Sequence, residues 1–289
     1  MRKRHIAAVA AGGLVLAGLG GAVAFHRAGE GSDGAATPFS REVVDRNGRL
    51  LRPFQTDDDM WRFPGAVADV DPLFLRMLQA YEDRRFARHP GVDPLALARA
   101  AGQWVASGRI VSGGSTLSMQ VARLIDKRED GRSVAVKLRE MARAVRLERD
   151  LGKPRVLDLY LSLAPYGGNV EGIRAASLAY FGKEPRRLSP GEAALLVAIP
   201  QSPEARRPGR HPEAARRARD RVLDRMLLAG VLKPEQVASG KAERVPVARR
   251  QMPTFAWHAA GEAIAAKPAS RVHRMAYDRS AQEALEALL

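Results

Sequence analysis

The sequence predicts a mainly α-helical protein, on three observations. Ala and Leu dominate a chain in which only 6% of residues are aromatic, a composition that favours helices. Apolar residues recur at helical spacing, first at Leu73, Met77, Leu78 and Tyr81 and again at Val134, Leu138, Met141 and Val145. Pro and Gly sit at the ends of such runs, as at Pro94, Pro165, Pro200 and Gly230. With 289 residues, 46% of them hydrophobic, the chain can bury a sizeable core as one large domain or two small ones.

Residues 1–5 include the basic run Arg2-Lys3-Arg4-His5 and precede an apolar stretch from Ile6 to Phe25. About 20 apolar residues at 1.5 Å each span the roughly 30 Å hydrocarbon core of a bilayer. The reading is one transmembrane helix at 6–25, with residues 1–5 cytoplasmic and the rest on the far side of the membrane. A cleaved signal peptide is the rival. Residues 26–40 are Gly-, Ala- and Ser-rich and read as a flexible stalk.

Val43 to Leu51 carries the Asn47-Gly48 signal of a short hairpin. Asp57-Asp58-Asp59 reads as a solvated turn. The stripe from Leu73 delivers Glu82 at the end of a helix, and Pro94 fits the first turn of the next, which runs to about Ala106. Val134, Leu138, Met141 and Val145 read as a buried stripe, with Lys137, Glu140 and Ala144 parallel on its flank. Leu157–Leu163 is apolar and breaks at Pro165; Glu192–Ile199 reads as a short buried helix; Pro212–Ala229 as a long charged one. Past Val247 the pattern weakens, and 247–289 reads as a linker or the beginning of another module, with a final helix from Ala281.

The net charge is +15. It suits an anionic partner such as nucleic acid, anionic lipid or a pyrophosphate, or else an Arg-rich composition spread over a solvated surface. No zinc-finger spacing and no basic stripe with interleaved aromatics is present, which argues against nucleic acid. The absence of cysteine excludes disulfides, thiolate catalysis and Cys-ligated metal.

Four blocks carry chemistry. Glu82 and Asp83 follow an apolar helix and precede a Pro90-Gly91 turn. A carboxylate held among apolar neighbours suits general acid–base work; a helix-end acid paired with Arg84 or Arg85 fits the same segment, and His89 alone reads as a turn residue. Ser112-Gly113-Gly114-Ser115-Thr116 then opens a helix on which Thr116, Gln120 and Arg123 share a face. Its free N–H groups suit an anion, or simply an N-cap. Arg132, Lys137 and Glu140 form a third block, cations for a departing diphosphate or a surface pair. Tyr160, Tyr166-Gly167-Gly168-Asn169 and Glu171-Gly172-Ile173 form a tight segment, either a cleft wall or a turn between helices.

In order, these blocks resemble the glycosyltransferase family 51 domain, the peptidoglycan polymerase module of class A penicillin-binding proteins. Glu82, Asp83, Phe86, His89 and Gly91 meet its first motif in full. Gly113, Ser115, Thr116, Ser118 and Gln120 meet the second, and Arg123 keeps the charge of a usual Lys. Lys137 and Glu140 meet the third, but Val136 stands where Arg is usual, leaving Arg132 or Arg139 to substitute. Tyr160-Leu161, Tyr166-Gly167, Gly172-Ile173 and Tyr180-Phe181-Gly182-Lys183 meet the fourth, with Ser162 in place of Asn; Leu188-Ser189, Glu192-Ala193-Ala194 and Pro200 meet the fifth. The segment Ala164–Gly172 looks most like the 1C type.

The resemblance covers residues 41–246 and implies a lysozyme-like glycosyltransferase domain with a small membrane-apposed lobe. It implies lipid II and undecaprenyl diphosphate-linked glycan as substrates, inversion to a β-1,4 link, and release of the lipid diphosphate. Glu82 would be the general base and Glu140 the second catalytic carboxylate. Asp83, His89, Ser115, Thr116, Gln120, Arg123, Arg132 and Lys137 would bind substrate. No cofactor is obligatory on this reading, which leaves room for a divalent cation, Mg or Mn. It implies a place at the bacterial inner membrane, with the domain on the periplasmic side and proteins of cell-wall synthesis as partners. The transpeptidase motifs Ser-x-x-Lys, Ser-x-Asn and Lys-Thr-Gly do not occur. The expectation is therefore a truncated or split protein without cross-linking activity, in which 247–289 is the remnant entry to that domain and poorly packed. The rivals are a lytic murein glycosidase and a catalytically decayed membrane-anchored scaffold.

Overall fold

A computed structural model describes residues 38–107, 114–126 and 134–288. The expected anchor at 6–25, nearly all of the stalk, and Ser112, Gly113 and Arg132 lie outside them. Among the described residues no helix is long and apolar enough to cross a membrane. Helices dominate, as the composition predicts: α1 (Pro72–Glu82), α2 (Pro94–Ser107), α3 (Leu117–Ile125), α4 (Val134–Leu163), α5 (Ile173–Phe181), α6 (Pro190–Ala198), α7 (Pro212–Leu228), α8 (Pro234–Ala242), α9 (Trp257–Ala266) and α10 (Arg279–Glu286). The strands are short: β1 (Arg41–Val44), β2 (Leu50–Phe54), β3 (Trp61–Arg62), β4 (Val170–Glu171) and β5 (Val272–Arg274). The chain divides into two compact units, one holding Leu78–Tyr160 and the other Pro38–Met77 with Leu161–Leu289.

In the Leu78–Tyr160 unit, α4 is two helical stretches meeting at Gly152, whose φ of 76° no helix interior adopts. Pro154, which lacks an N–H to contribute, sits in the first turn of the second stretch. The burial of α4 corrects the expected stripe. Val145 is 39% exposed and Leu138 and Met141 are only half-buried, whereas Glu140 and Ala144 on the supposed flank are buried. Close packing explains the exchange. Gly91, at φ +93°, lies so near the Ala144 backbone that an added Cβ would come within 2.6 Å of its carbonyl. That contact turns the polar flank of α4 inward.

In the other unit β1 and β2 form the predicted hairpin, antiparallel with Arg41 opposite Phe54, and Gly48 at the turn has φ 80°. The segment 247–289 joins it instead of standing off. β5 pairs in parallel with β1, giving the order β2-β1-β5. Phe255, Ile264 and Met275 pack against Val43, Leu51 and Ala260. Asp278 caps α10 by accepting from the Ser280 and Ala281 amides. The expected helix thus starts at Arg279; the segment is tied to the hairpin through β5 and Ala260, while α10 itself buries no residue. The β3–β4 pair is parallel. Asp58, in the acidic turn, is more than solvated: it pairs at 3.0 Å with Arg62, which has no exposed side-chain surface and also bonds Glu171.

The Tyr/Gly segment is a packed turn. Tyr166 and Tyr180 are buried, and the Tyr180 hydroxyl donates to the Tyr166 carbonyl at 2.6 Å. Burial pushes the Tyr180 phenol up to about 12. Gly172, at φ +83°, would bring a Cβ within 2.6 Å of the Ser162 carbonyl oxygen. Ser162 in turn accepts from the Gly65 amide at 2.8 Å. Helix α6 opens with a capping box between Ser189 and Glu192 and packs against α7 and α8.

Candidate active site

Every candidate residue that the structure describes lies in the Leu78–Tyr160 unit. Glu82 is the last residue of α1 and is half-buried. Its Oε2 accepts from the Gln120 side-chain amide at 3.0 Å, so the first and second sequence blocks meet at this carboxylate.

The join between those blocks is built from buried polar groups. Asp83 Oδ2 accepts from the Leu117 amide at 3.1 Å, at the N-terminus of α3, where exposed N–H groups favour a carboxylate. The His89 Nε2 lies 3.0 Å from both Asp83 oxygens. A carboxylate that is already accepting from an amide leaves Nε2 as the donor. Thr116 is the N-cap of α3: its Oγ1 accepts from the Met119 amide at 3.1 Å and donates to the Gly91 carbonyl at 2.5 Å. Asp83, His89 and Thr116 are all buried and engaged with protein atoms, so here they frame the site.

The cations gather around Glu140, which is buried with 7% of its surface exposed. Arg123 donates to both of its oxygens, at 2.5 and 3.0 Å. Lys137 donates to Oε2 at 2.9 Å and also to the Ser115 hydroxyl at 2.8 Å. Burial pushes the Glu140 carboxyl up, but the hydrogen bonds from Arg123 and Lys137 outweigh it and hold the group below its ordinary value. The bonded Glu140 in turn holds Arg123 above its own ordinary value. Glu140 therefore stays ionised and organises the two cations. The Arg123 side chain is more than half exposed, so its charge remains available to a ligand. Arg139 is exposed as well.

Two further residues complete the cluster and are absent from the predicted set. Glu148, with a side chain only 6% exposed, bonds the Ser118 hydroxyl and pairs with Lys153 at 2.6 Å. Lys153 also donates to the His89 carbonyl at 2.6 Å and lies 4.4 Å from the Phe86 ring centroid. A signal for Glu148 was available: it extends Glu140 and Ala144 by one more step of four along the inward face of α4. Among the described residues no group of three His, Asp or Glu is arranged to hold a metal ion. The Glu140 and Glu148 carboxylates are engaged with Arg123, Lys137 and Lys153.

Comparison with known proteins gives the family of the chain. The transglycosylase family model matches residues 47–227. Penicillin-binding protein 1C of Escherichia coli (strain K12) is 48% identical over 217 residues, covering 75% of this chain and 28% of that protein. Penicillin-binding protein 1A of Aquifex aeolicus (strain VF5) is 40% identical over 200 residues, 69% of this chain and 27% of its own length. Penicillin-binding protein 1F of Bacillus subtilis (strain 168) is 31% identical over 218 residues, 75% and 30% respectively. The chain thus spans less than a third of each of these relatives.

Proposed function

Because the chain belongs to the transglycosylase family, we propose that it is a peptidoglycan glycosyltransferase polymerising lipid II into β-1,4 glycan strands. One observation carries the reading. Helix α3 brings Gln120 to the Glu82 carboxylate at 3.0 Å and, one turn on, Arg123 to Glu140 at 2.5 Å. A base and a cation cluster are thereby tied to one short helix.

In this mechanism Glu82 accepts the proton of the 4-hydroxyl on the acceptor N-acetylglucosamine. The oxygen then forms a bond to C1 of the donor N-acetylmuramic acid as the bond from C1 to the diphosphate oxygen breaks. The configuration inverts, and undecaprenyl diphosphate leaves with the electron pair. A positioned base contributes about 10²–10⁴-fold. Arg123 and Lys137 face the charge that develops on the leaving diphosphate. Glu140 holds both and orients them, and Ser115 fixes the Lys137 ammonium. Gln120 holds Glu82.

A lysozyme-like fold, a single-pass anchor at 6–25, a place on the periplasmic face of the inner membrane and cell-wall synthesis partners belong to the same proposal. A lipid-linked substrate requires an enzyme at the bilayer surface. The Leu78–Tyr160 unit exposes Leu95, Ile125, Val145 and Leu151, apolar side chains suited to such a surface.

The test is direct. Purified protein given lipid II lengthens glycan chains, and Glu82→Gln does not. Release of soluble fragments from finished glycan, with no growth from lipid II, would point to a hydrolase and overturn the proposal.

A further inference from the structure

We propose that Glu148 is a positioning residue that fixes the base relative to the leaving-group cations without touching substrate, an inference resting on the polymerase reading above. Its carboxylate is buried between the first and second sequence blocks, on the helix that carries Lys137 and Glu140 of the third. One oxygen bonds Ser118 in the first turn of α3, two residues before the Gln120 that holds Glu82. The same oxygen takes the Lys153 ammonium, which reaches on to the His89 carbonyl and the Phe86 ring in the block that carries Glu82. The Glu148 backbone lies in α4, two turns after Glu140. Glu148 therefore links the helix bearing Lys137 and Glu140 to both elements that set Glu82.

Burial makes this link specific. His89 Nδ1 faces the same oxygen at 4.0 Å and has no hydrogen-bond partner of its own. No other buried side-chain nitrogen or oxygen among the described residues is left so. A buried polar group in that state persists where neighbours hold it against relaxation. Removing the Glu148 carboxylate leaves the Lys153 ammonium and the Ser118 hydroxyl to find new partners. The start of α3 then moves relative to Glu82, although every group proposed to meet substrate remains. Misplacement by about 1 Å costs on the order of 10²-fold in rate.

The experiment uses the full chain and three variants: Glu148→Ala, Glu148→Gln and Glu42→Gln. Glu42 is a buried carboxylate of the other unit, paired with Arg174, and serves as a destabilised control. Glu148→Ala is expected to lower kcat on lipid II by about 10–100-fold, with KM changed less than about twofold. Glu148→Gln keeps an acceptor oxygen for Ser118 and Lys153 and is expected to recover part of that loss. Glu42→Gln is expected to lower the melting temperature yet keep kcat per folded molecule. Amide hydrogen exchange over Leu117–Ile125 is expected to quicken in Glu148→Ala and not in the control. A Glu148→Ala enzyme with wild-type kcat per folded molecule overturns the inference, and so does unchanged exchange in that segment. The exchange result stands even if the wild-type protein fails to polymerise lipid II, a failure that would count against the polymerase reading alone.

Discussion

Helix α6 buries Ala193, Ala194, Leu195, Leu196, Val197 and Ala198 side by side, whereas the buried groups around α3 include Asp83, His89, Thr116, Ser118 and Glu140. Around α6 the stabilisation comes from apolar area removed from water. It is non-directional and tolerates small shifts. Around α3 an apolar cluster of Met119, Ala122 and Ala144 is joined by buried polar groups held by specific partners, and losing a partner strands the other. The first region therefore supplies stability and the second supplies position. Substitutions in the two should separate: melting temperature should respond in one, turnover in the other.

The largest expected effect is at Glu82. Glu82→Gln keeps the shape of the side chain and an oxygen for Gln120, so it should melt close to wild type while turnover on lipid II falls by about 10²–10⁴-fold. The matching change in the other region is Leu196→Ala, which empties a fully buried site. It should cost about 2–5 kcal/mol in a denaturant melt and leave turnover per folded molecule unaltered. If Leu196→Ala cut specific turnover as deeply as Glu82→Gln, the division between the two regions would fail.

Glu140 tests the comparison from inside the polar region. Glu140→Gln should lower turnover by roughly 10²-fold, because Arg123 and Lys137 lose the anion that orients them. It should also alter stability in a pH-dependent way. The folded-state value of Glu140 is depressed, so its stabilisation is complete above the ordinary value of 4.5 and is lost as pH falls through the lower folded value. In melts at a series of pH values, the gap between wild type and Glu140→Gln should be constant near neutrality and close in acid. A gap that widened in acid would contradict the ion cluster.

The same contrast explains what the sequence made legible. Helix α6 was readable because its capping residues, its Pro190 and its unbroken apolar run all point the same way. The hairpin was readable from Asn47-Gly48. At the site, Glu82, Gln120, Arg123, Lys137 and Glu140 were found from ordered motifs, and the structure draws them together. Their partners were harder. Which stripe of α4 faces inward depends on Gly91 meeting the Ala144 backbone, a contact between segments more than fifty residues apart. Glu148 and Lys153 lie in none of the ordered motifs, and their partners Ser118, His89 and Phe86 come from distant segments. The 247–289 segment reads as a linker or the beginning of another module because β5 has only three residues and pairs with β1, which no local pattern encodes.

The smallest expected effect concerns a charge pair that belongs to neither region. Arg186 bonds Asp69 in the Pro38–Met77/Leu161–Leu289 unit, with the arginine side chain 66% and the aspartate 50% exposed. Water and salt screen such a pair, and ordering the long arginine side chain offsets much of the attraction. Arg186→Ala should therefore change stability by no more than about 1 kcal/mol, an effect that shrinks further in high salt, with turnover unchanged. The geometry of this pair is as close as that of Arg123 with Glu140, which makes it a fair control: what separates the two is burial and the partners beyond the pair. A loss at Arg186 as large as that at Leu196, or one insensitive to salt, would show that pairing distance alone sets the energy here and that the contrast between regions was drawn on the wrong variable.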